Sequence, residues 1–237
     1  DENDFLRAML TGYLQSQFTD RPDLWEKVLP QYPPAAKRMI LDNGIWAATM
    51  KRENVALITD PIARITPSGV VTSDGTERPA DVIIYGTGFR ASQFVAPMEV
   101  VGRGGVTLAE RWKGDARAYK GVVVPGFPNF FMMYGPNTNI VVNGSIIFFS
   151  ECEMQYILAC LRMLFTEEQR AFDCREDVHD AYNERIDALN KKRAWGASNV
   201  NAWYKNEFGR VSQNWPGNLI EYWQQTRDAD PGDFTFL

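Results

Sequence analysis

The chain has 237 residues, of which 45% are hydrophobic and 23% charged, and its formal net charge is −5. This length allows one large domain or two small ones, and the composition is that of an ordinary globular protein. The acidic balance argues against a nucleic-acid surface or an anionic membrane patch, and no apolar run of the sequence is long enough to span a bilayer.

The first part of the chain is predicted to be helical and then to change to short strands. Apolar spacing predicts a helix over residues 2–17 and a second over 23–29, which prolines end. Residues 35–50 are predicted to be partly helical, with a break at Asn43-Gly44. Turn residues then separate the predicted strands of a small β-meander that leads into a central strand, at 55–59, 62–66, 69–72 and 81–85.

The remainder is predicted to be mainly helical. A helical turn is expected at 108–112, short strands at 122–124 and 130–134, and a long helix at 145–165. A polar helix at 175–192 carries the only histidine, His179, which is predicted to lie on the surface. From residue 194 onward, little periodicity indicates an ordered, irregular tail. These elements predict an α/β fold class.

The three cysteines do not indicate a disulfide framework or a zinc site. Cys152, Cys160 and Cys174 are odd in number and none is part of a C-x-x-C pair. Cys152 and Cys160 fall in an apolar helical pattern and are predicted to be core residues, which fits a reducing cytoplasm. With one histidine in the chain, no metal site is predicted.

Four segments are candidates for ligand binding. A buried strand that ends in Gly86-Thr87-Gly88-Phe89 is typical of an α/β sheet edge where ligands bind. Asn143 or Ser145 is a good N-cap for the long helix, whose free amides suit an electron-rich atom, although an ordinary capped core helix explains this segment equally well. Lys37-Arg38 is either a solvated basic pair or a cation pair that the following apolar residues fix to a core. The last is Trp203, in a polar loop where tryptophan usually packs over a helix end.

Taken together, the sequence resembles the Baeyer–Villiger monooxygenases, flavoproteins with two dinucleotide-binding domains. It is most similar to the branch that oxidises aryl ketones such as 4-hydroxyacetophenone. Resemblance extends over nearly the whole chain, and the matching runs lie at residues 37–44, 51–55, 65–70, 86–89 and 126–131.

The resemblance implies FAD and NADPH as cofactors and a small-molecule ketone as substrate. Arg38 would stand over the flavin and stabilise the C4a-peroxyflavin anion and the anionic adduct, since a guanidinium stays charged at every working pH. Lys37 would meet the 2′-phosphate of NADPH, and Trp203 would contact NADP. The flavin would face the backbone at Gly86, Thr87, Gly88, Phe89, Gly135, Pro136, Asn143, Gly144 and Ser145.

The glycine-rich dinucleotide motifs of the family are not found in this sequence, so we expect the chain to be the C-terminal part of a larger enzyme. Residues 1–30 would be an N-terminal helical segment, 31–86 the C-terminal part of the NADPH-binding domain with the meander, and 87–237 the C-terminal part of the FAD-binding domain. The remainder of the parent enzyme would be its partner, a homodimer is also allowed, and the isolated chain is expected to be inactive.

Two alternatives remain open on the sequence. An N- or S-oxidising flavin monooxygenase would keep its intermediate protonated and would need no arginine at position 38. The chain could also be a non-catalytic module when isolated.

Overall fold

A computed structural model describes residues 2–39, 42–141 and 144–237. The chain divides into two compact units, which we call unit 1 (Asp1–Gln31 with Ile40–Phe89) and unit 2 (Tyr32–Met39 with Arg90–Leu237). None of the described helices combines the length and the apolar character that crossing a bilayer requires. The predicted boundaries at residues 30 and 86 stay a prediction.

The described part of unit 1 contains three α-helices, α1 (Glu2–Ser16), α2 (Pro22–Val28) and α3 (Ile45–Met50). Pro22 occupies the first turn of α2, where a helix does not need the missing N–H. Gly44, with φ of 91°, immediately precedes α3 and so confines the predicted 35–50 helix to its last turns. The small core of this unit consists of Phe18, Leu24, Val28 and Ala47.

A three-stranded antiparallel meander follows in unit 1, with strands β1 (Ile62–Thr66), β2 (Gly69–Thr72) and β3 (Glu77–Pro79) in that order. The predictions of β1 and β2 are confirmed. Asp74 fixes the β2–β3 turn, because it accepts hydrogen bonds from the Thr72 hydroxyl (2.6 Å) and the Thr76 amide (3.0 Å). These bonds lower the pKa of Asp74 to about 2.

Two predicted strands of unit 1 are wrong. Residues 55–59 and 81–85 are both described, and neither forms a strand. The second was expected to be the buried central strand, yet Val82 and Ile84 are 76% and 91% exposed. An extended segment becomes a strand only when a neighbour takes up its backbone hydrogen bonds, and no described strand pairs with this one.

The described residues of unit 2 form four α-helices and a two-stranded sheet. The helices are α4 (Leu108–Trp112), α5 (Ile146–Thr166), α6 (Glu176–Asn190) and α7 (Leu219–Thr226), and β4 (Phe172–Cys174) pairs antiparallel with β5 (Phe234–Phe236). The main core surrounds α5, where the rings of Phe149 and Tyr222 lie 4.4 Å apart. Cys152 and Cys160 are buried there, which confirms their prediction.

Four predictions fail in unit 2. Residues 122–124 and 130–134 are not strands, although Val122 is fully buried; a short apolar run indicates burial more reliably than it indicates a strand. The tail is irregular only in part, because α7 and β5 lie within it. His179 is only 3% exposed, since it shares one face of α6 with Tyr182 and Ile186.

Candidate functional site

An open pocket of about 770 Å³ lies in unit 2. It combines one cation, two aromatic side chains, polar groups and aliphatic walls drawn from distant parts of the chain. Its lining residues are Arg38, Tyr134, Asn139, Ile140, Val141, Gly144, Ile146, Ser150 and Trp203.

Arg38 supplies the charge of this pocket. Among the described residues no carboxylate pairs with its guanidinium. Its positive charge acts to lower the pKa of Tyr134 and of Tyr204, although burial outweighs this effect and leaves both pKa values above the ordinary one. An arginine with no carboxylate partner that lines a pocket is suited to bind an anion.

The loop at residues 134–139 forms one wall. Tyr134 and Asn137 have left-handed backbone, with φ of 56° and 61°. Gly135 is required here because a Cβ at this position would lie 2.1 Å from the carbonyl oxygen of Gly121. The Tyr134 hydroxyl donates to Asn139 Oδ1 at 2.9 Å, so the two side chains are fixed to each other within the pocket.

Buried amides attach this loop to the C-terminal tail. The Asn137 side-chain amide donates to the carbonyl oxygens of Val211 (2.8 Å) and Asn214 (3.1 Å). Asn139 donates to the side chain of Asn214 at 2.8 Å. The tail also carries Trp203, which is 49% exposed and packs against Tyr204 with the ring centroids 4.8 Å apart and the ring planes tilted by 42°.

Arg210 lies in the tail and connects it to this loop. Its side chain is only 10% exposed. It donates to Asp187 (2.8 Å), Asp115 (3.2 Å) and the carbonyl oxygen of Ala116 (2.9 Å). Its remaining nitrogen donates to Asn137 Oδ1 at 2.9 Å. One side chain therefore connects a pocket wall to the helix and the loops beneath it.

The start of α5 forms the opposite part of the pocket. Ser145 is the N-cap, because its hydroxyl accepts a hydrogen bond from the Ile147 amide at 3.2 Å, and this confirms one of the two predicted caps. The other, Asn143, lies outside the described residues. Ile146 and Ser150 are four residues apart and so face the pocket together.

Of the predicted site residues, the structure brings Arg38, Gly144 and Trp203 into this one pocket. Gly135 and Pro136 are buried beside it in the loop. Lys37 is not among the lining residues, and its ammonium lies 4.7 Å from the centre of the Tyr32 ring. Gly86, Thr87, Gly88 and Phe89 belong to unit 1 and are all exposed. Their roles stay predictions.

Six lining residues were not predicted. Three of them, Tyr134, Ile140 and Val141, look like core residues in the sequence, and only folding shows which apolar side chains face a pocket. For Ile146 and Ser150 a signal existed, namely their helical spacing after the N-cap. For Asn139 the signal was its place in an Asn-rich loop.

A second cluster of polar groups lies at the start of α6. Glu176, His179 and Asp180 each offer one atom, and these atoms lie within 4.8 Å of one another. The guanidinium of Arg111 already contacts Glu176, and His179 Nδ1 lies 2.8 Å from Asp180 Oδ1. A cation would have to displace both contacts, so this cluster is better explained as an ion-paired helix start.

No protein-family model matches the chain. A Baeyer–Villiger monooxygenase of Streptomyces coelicolor is 35% identical over 217 residues, which are 91% of this chain and 41% of the relative. A Baeyer–Villiger monooxygenase of Pseudomonas aeruginosa is 32% identical over 95% of this chain and 42% of the relative. The chain belongs to the Baeyer–Villiger monooxygenase family. It spans about two fifths of the length of these Baeyer–Villiger relatives.

Solved structures of Baeyer–Villiger monooxygenases confirm the fold. A steroid monooxygenase bound to NADP matches 99% of this chain and 45% of its own, with a TM-score of 0.83 and 27% identity. A structure of OTEMO with FAD and NADP matches 99% of this chain and 44% of its own, with a TM-score of 0.85 and 23% identity, which supports the fold alone. The matched region is the C-terminal portion of these structures, as the sequence predicted, and the α/β fold class is confirmed.

Proposed function

We propose that this chain is the oxygen-insertion half of an FAD- and NADPH-dependent Baeyer–Villiger monooxygenase that converts a ketone, specifically an aryl ketone, to an ester. When bound, reduced FAD would supply with O₂ the C4a-peroxyflavin chemistry of the reaction. A relative from Aspergillus niger, 35% identical over 96% of this chain, is named an FAD-binding monooxygenase. The steroid monooxygenase above is bound to NADP.

The observation that carries this proposal is Arg38 in the pocket with Tyr134 and Trp203. Attack on a ketone carbonyl places negative charge on the carbonyl oxygen, and a preorganised guanidinium stabilises such charge best where water is scarce. Arg38 would hold that charge. Arg38, Tyr134 and Trp203 are all exposed in this chain, so the remainder of the enzyme would have to exclude water from the pocket. The aliphatic walls would favour an apolar substrate.

The remaining residues would hold the two cofactors. The first turn of α5, from Gly144 and Ser145 onward, would direct free backbone amides at an electron-rich edge of the flavin. Lys37 would bind the 2′-phosphate of NADPH, for which it would have to leave the Tyr32 ring. Trp203 would pack on NADP. Gly86–Phe89 and Gly135-Pro136 would border the flavin.

The test is the replacement Arg38→Ala in the full-length enzyme that contains this chain. We expect ester formation from an aryl ketone to fall by two or more orders of magnitude, as loss of an oxyanion donor does, while NADPH oxidation continues. Arg227→Ala is the matched control, because this side chain is 60% exposed and pairs only with Asp228 among the described carboxylates. Unchanged ester formation would exclude Arg38 from the mechanism. If the unmodified enzyme forms no ester from any ketone tested, N- or S-oxidation would be favoured instead.

The isolated chain is proposed to be inactive, since it spans only about two fifths of its relatives. Purified chain should show no flavin absorbance after FAD is added and the excess removed. A stable yellow complex would show that the isolated chain retains flavin, and ester formed by that complex with NADPH would contradict the proposal.

A further inference from the structure

A fully buried glutamate lies directly beneath the Arg38 pocket. Glu153 is on α5, one turn after the pocket residue Ser150, and its exposed fraction is 0%. Its Oε2 accepts a hydrogen bond from the main-chain amide of Tyr134 at 2.9 Å. Its Oε1 is buried and has no hydrogen-bond partner among the described residues.

Stability does not account for this residue. A buried carboxyl with one unpartnered oxygen is unfavourable, and an apolar side chain of similar size would suit the core around α5 better. The neighbours of Glu153 along α5 include Phe149, Cys152 and Tyr156, all of them buried. The Glu153 carboxyl instead accepts one hydrogen bond, and its donor is the main-chain amide of the pocket residue Tyr134.

Tyr134 needs such support. Its φ of 56° is a left-handed backbone that residues other than glycine and asparagine rarely adopt. Glu153 binds this residue at the main chain, and Asn139 binds it at the hydroxyl, 2.9 Å away. Between these two contacts the ring lines the pocket, where the charge of Arg38 acts on the phenol.

We propose that Glu153 is a positioning residue of the Arg38 pocket: from inside the fold its carboxyl holds the amide of Tyr134 and thereby keeps the phenol beside Arg38. This positioning role depends on the proposed function only in one respect, namely the identity of the ligand that the pocket binds. Glu153 itself touches neither substrate nor cofactor.

The carboxyl also makes this support depend on pH. Burial raises the pKa of Glu153 to about 7, against the opposing effect of the Tyr134 amide. The other groups that face it are the hydroxyls of Thr138 and Tyr222 and the thiol of Cys152, with Arg38 beyond Tyr134. Burial raises the pKa of Tyr222 and of Cys152, so both stay neutral near pH 7. Protonation of Glu153 would replace a charge-assisted hydrogen bond by a weaker one.

The test uses NMR of the full 237-residue chain with ¹⁵N-labelled backbone and ¹³Cζ-labelled tyrosine, and needs no ligand. In the wild type we expect the Tyr134 amide and the Tyr134 Cζ signal to shift together between pH 5.5 and 8.5, with a midpoint near 7. Glu153→Gln keeps a carbonyl acceptor for the amide, so Cζ should stay at its neutral-pH position and the titration should vanish. Glu153→Leu removes the acceptor, so Cζ should move away from its wild-type position, because the Tyr134 ring is no longer held beside Arg38.

The matched control is Glu151→Gln, an exposed carboxyl on the same helix, which should leave the titration of Tyr134 intact. An unchanged Cζ position in Glu153→Leu, or a titration that persists in Glu153→Gln, would overturn the proposal. If Glu153→Leu does not fold, the wild-type titration decides: a Tyr134 amide that does not move over this pH range refutes it. Because no cofactor is used, failure here leaves the Arg38→Ala test of function unaffected.

Discussion

Replacement of Arg210 by methionine is expected to destabilise unit 2 by about 3 kcal/mol. Methionine keeps much of the apolar volume but removes the hydrogen bonds to Asp115, Asp187 and Asn137. Removing one partner of a buried ion pair costs about 3–5 kcal/mol. The lower end applies because Arg117 still pairs with both carboxylates, at 3.0 Å and 2.8 Å.

Lysine at the same position tests the geometry separately from the charge. Arg210→Lys keeps the cation but has no planar fork, so it should lose about half of the stabilisation, roughly 1.5 kcal/mol. Arg227→Met is the control for loss of an exposed pair and should cost at most about 1 kcal/mol.

The assay is urea unfolding, monitored by pulsed hydrogen exchange on the peptide that covers α6. This peptide reports on the unfolding of unit 2, which contains Arg210. A cost of less than about 1 kcal/mol for Arg210→Met would refute the reasoning, because it would mean that the four hydrogen bonds of the guanidinium contribute no more than a surface pair.

Three further predictions concern the loop, the core and the single histidine. Gly135→Ala should destabilise unit 2 by about 1–3 kcal/mol, since its Cβ would lie 2.1 Å from a carbonyl oxygen of Gly121; a melting temperature equal to that of the wild type would contradict this. Phe149→Ala should cost about 3–5 kcal/mol in urea unfolding, because this ring is fully buried against Tyr222. Burial lowers the pKa of His179 below its usual 6.5, so the unfolded chain binds more protons there and stability should fall as the pH drops through 6.5. His179→Phe should flatten that slope between pH 5 and 6.5, and an unchanged slope would exclude His179 as its source.

The elements that sequence reasoning found correctly are those whose signals are local. Helix α5 has a cap residue and a long apolar period, and β1 and β2 are bounded by turn residues. The central strand failed because a strand depends on neighbours that sequence periodicity cannot supply, and residues 81–85 have none among the described strands. His179 failed because its polar sequence neighbours conceal that helical spacing places it with Tyr182 and Ile186.

The candidate site divides in the same way. Composition and spacing indicated that Ser145 is a cap. They left two interpretations of the Lys37-Arg38 pair, a solvated basic pair or a cation pair fixed to a core. That Arg38 and Trp203 line one pocket depends on tertiary contacts, and in the sequence only the family resemblance pointed to it. Tyr134 was predicted to end a strand at 130–134, but it has a left-handed backbone that no residue pattern reveals.

The exposed, unpaired segment at residues 81–89, which follows β3, has a practical consequence for the preparation of this protein. The side chains of Ile84 and Phe89 are 91% and 97% exposed. No described strand pairs with the backbone of this segment. We expect such a stretch to associate with other exposed hydrophobic surfaces, including further copies of itself. A lysine in place of Ile84 would improve colloidal behaviour at little cost to folding, because this side chain packs against almost nothing.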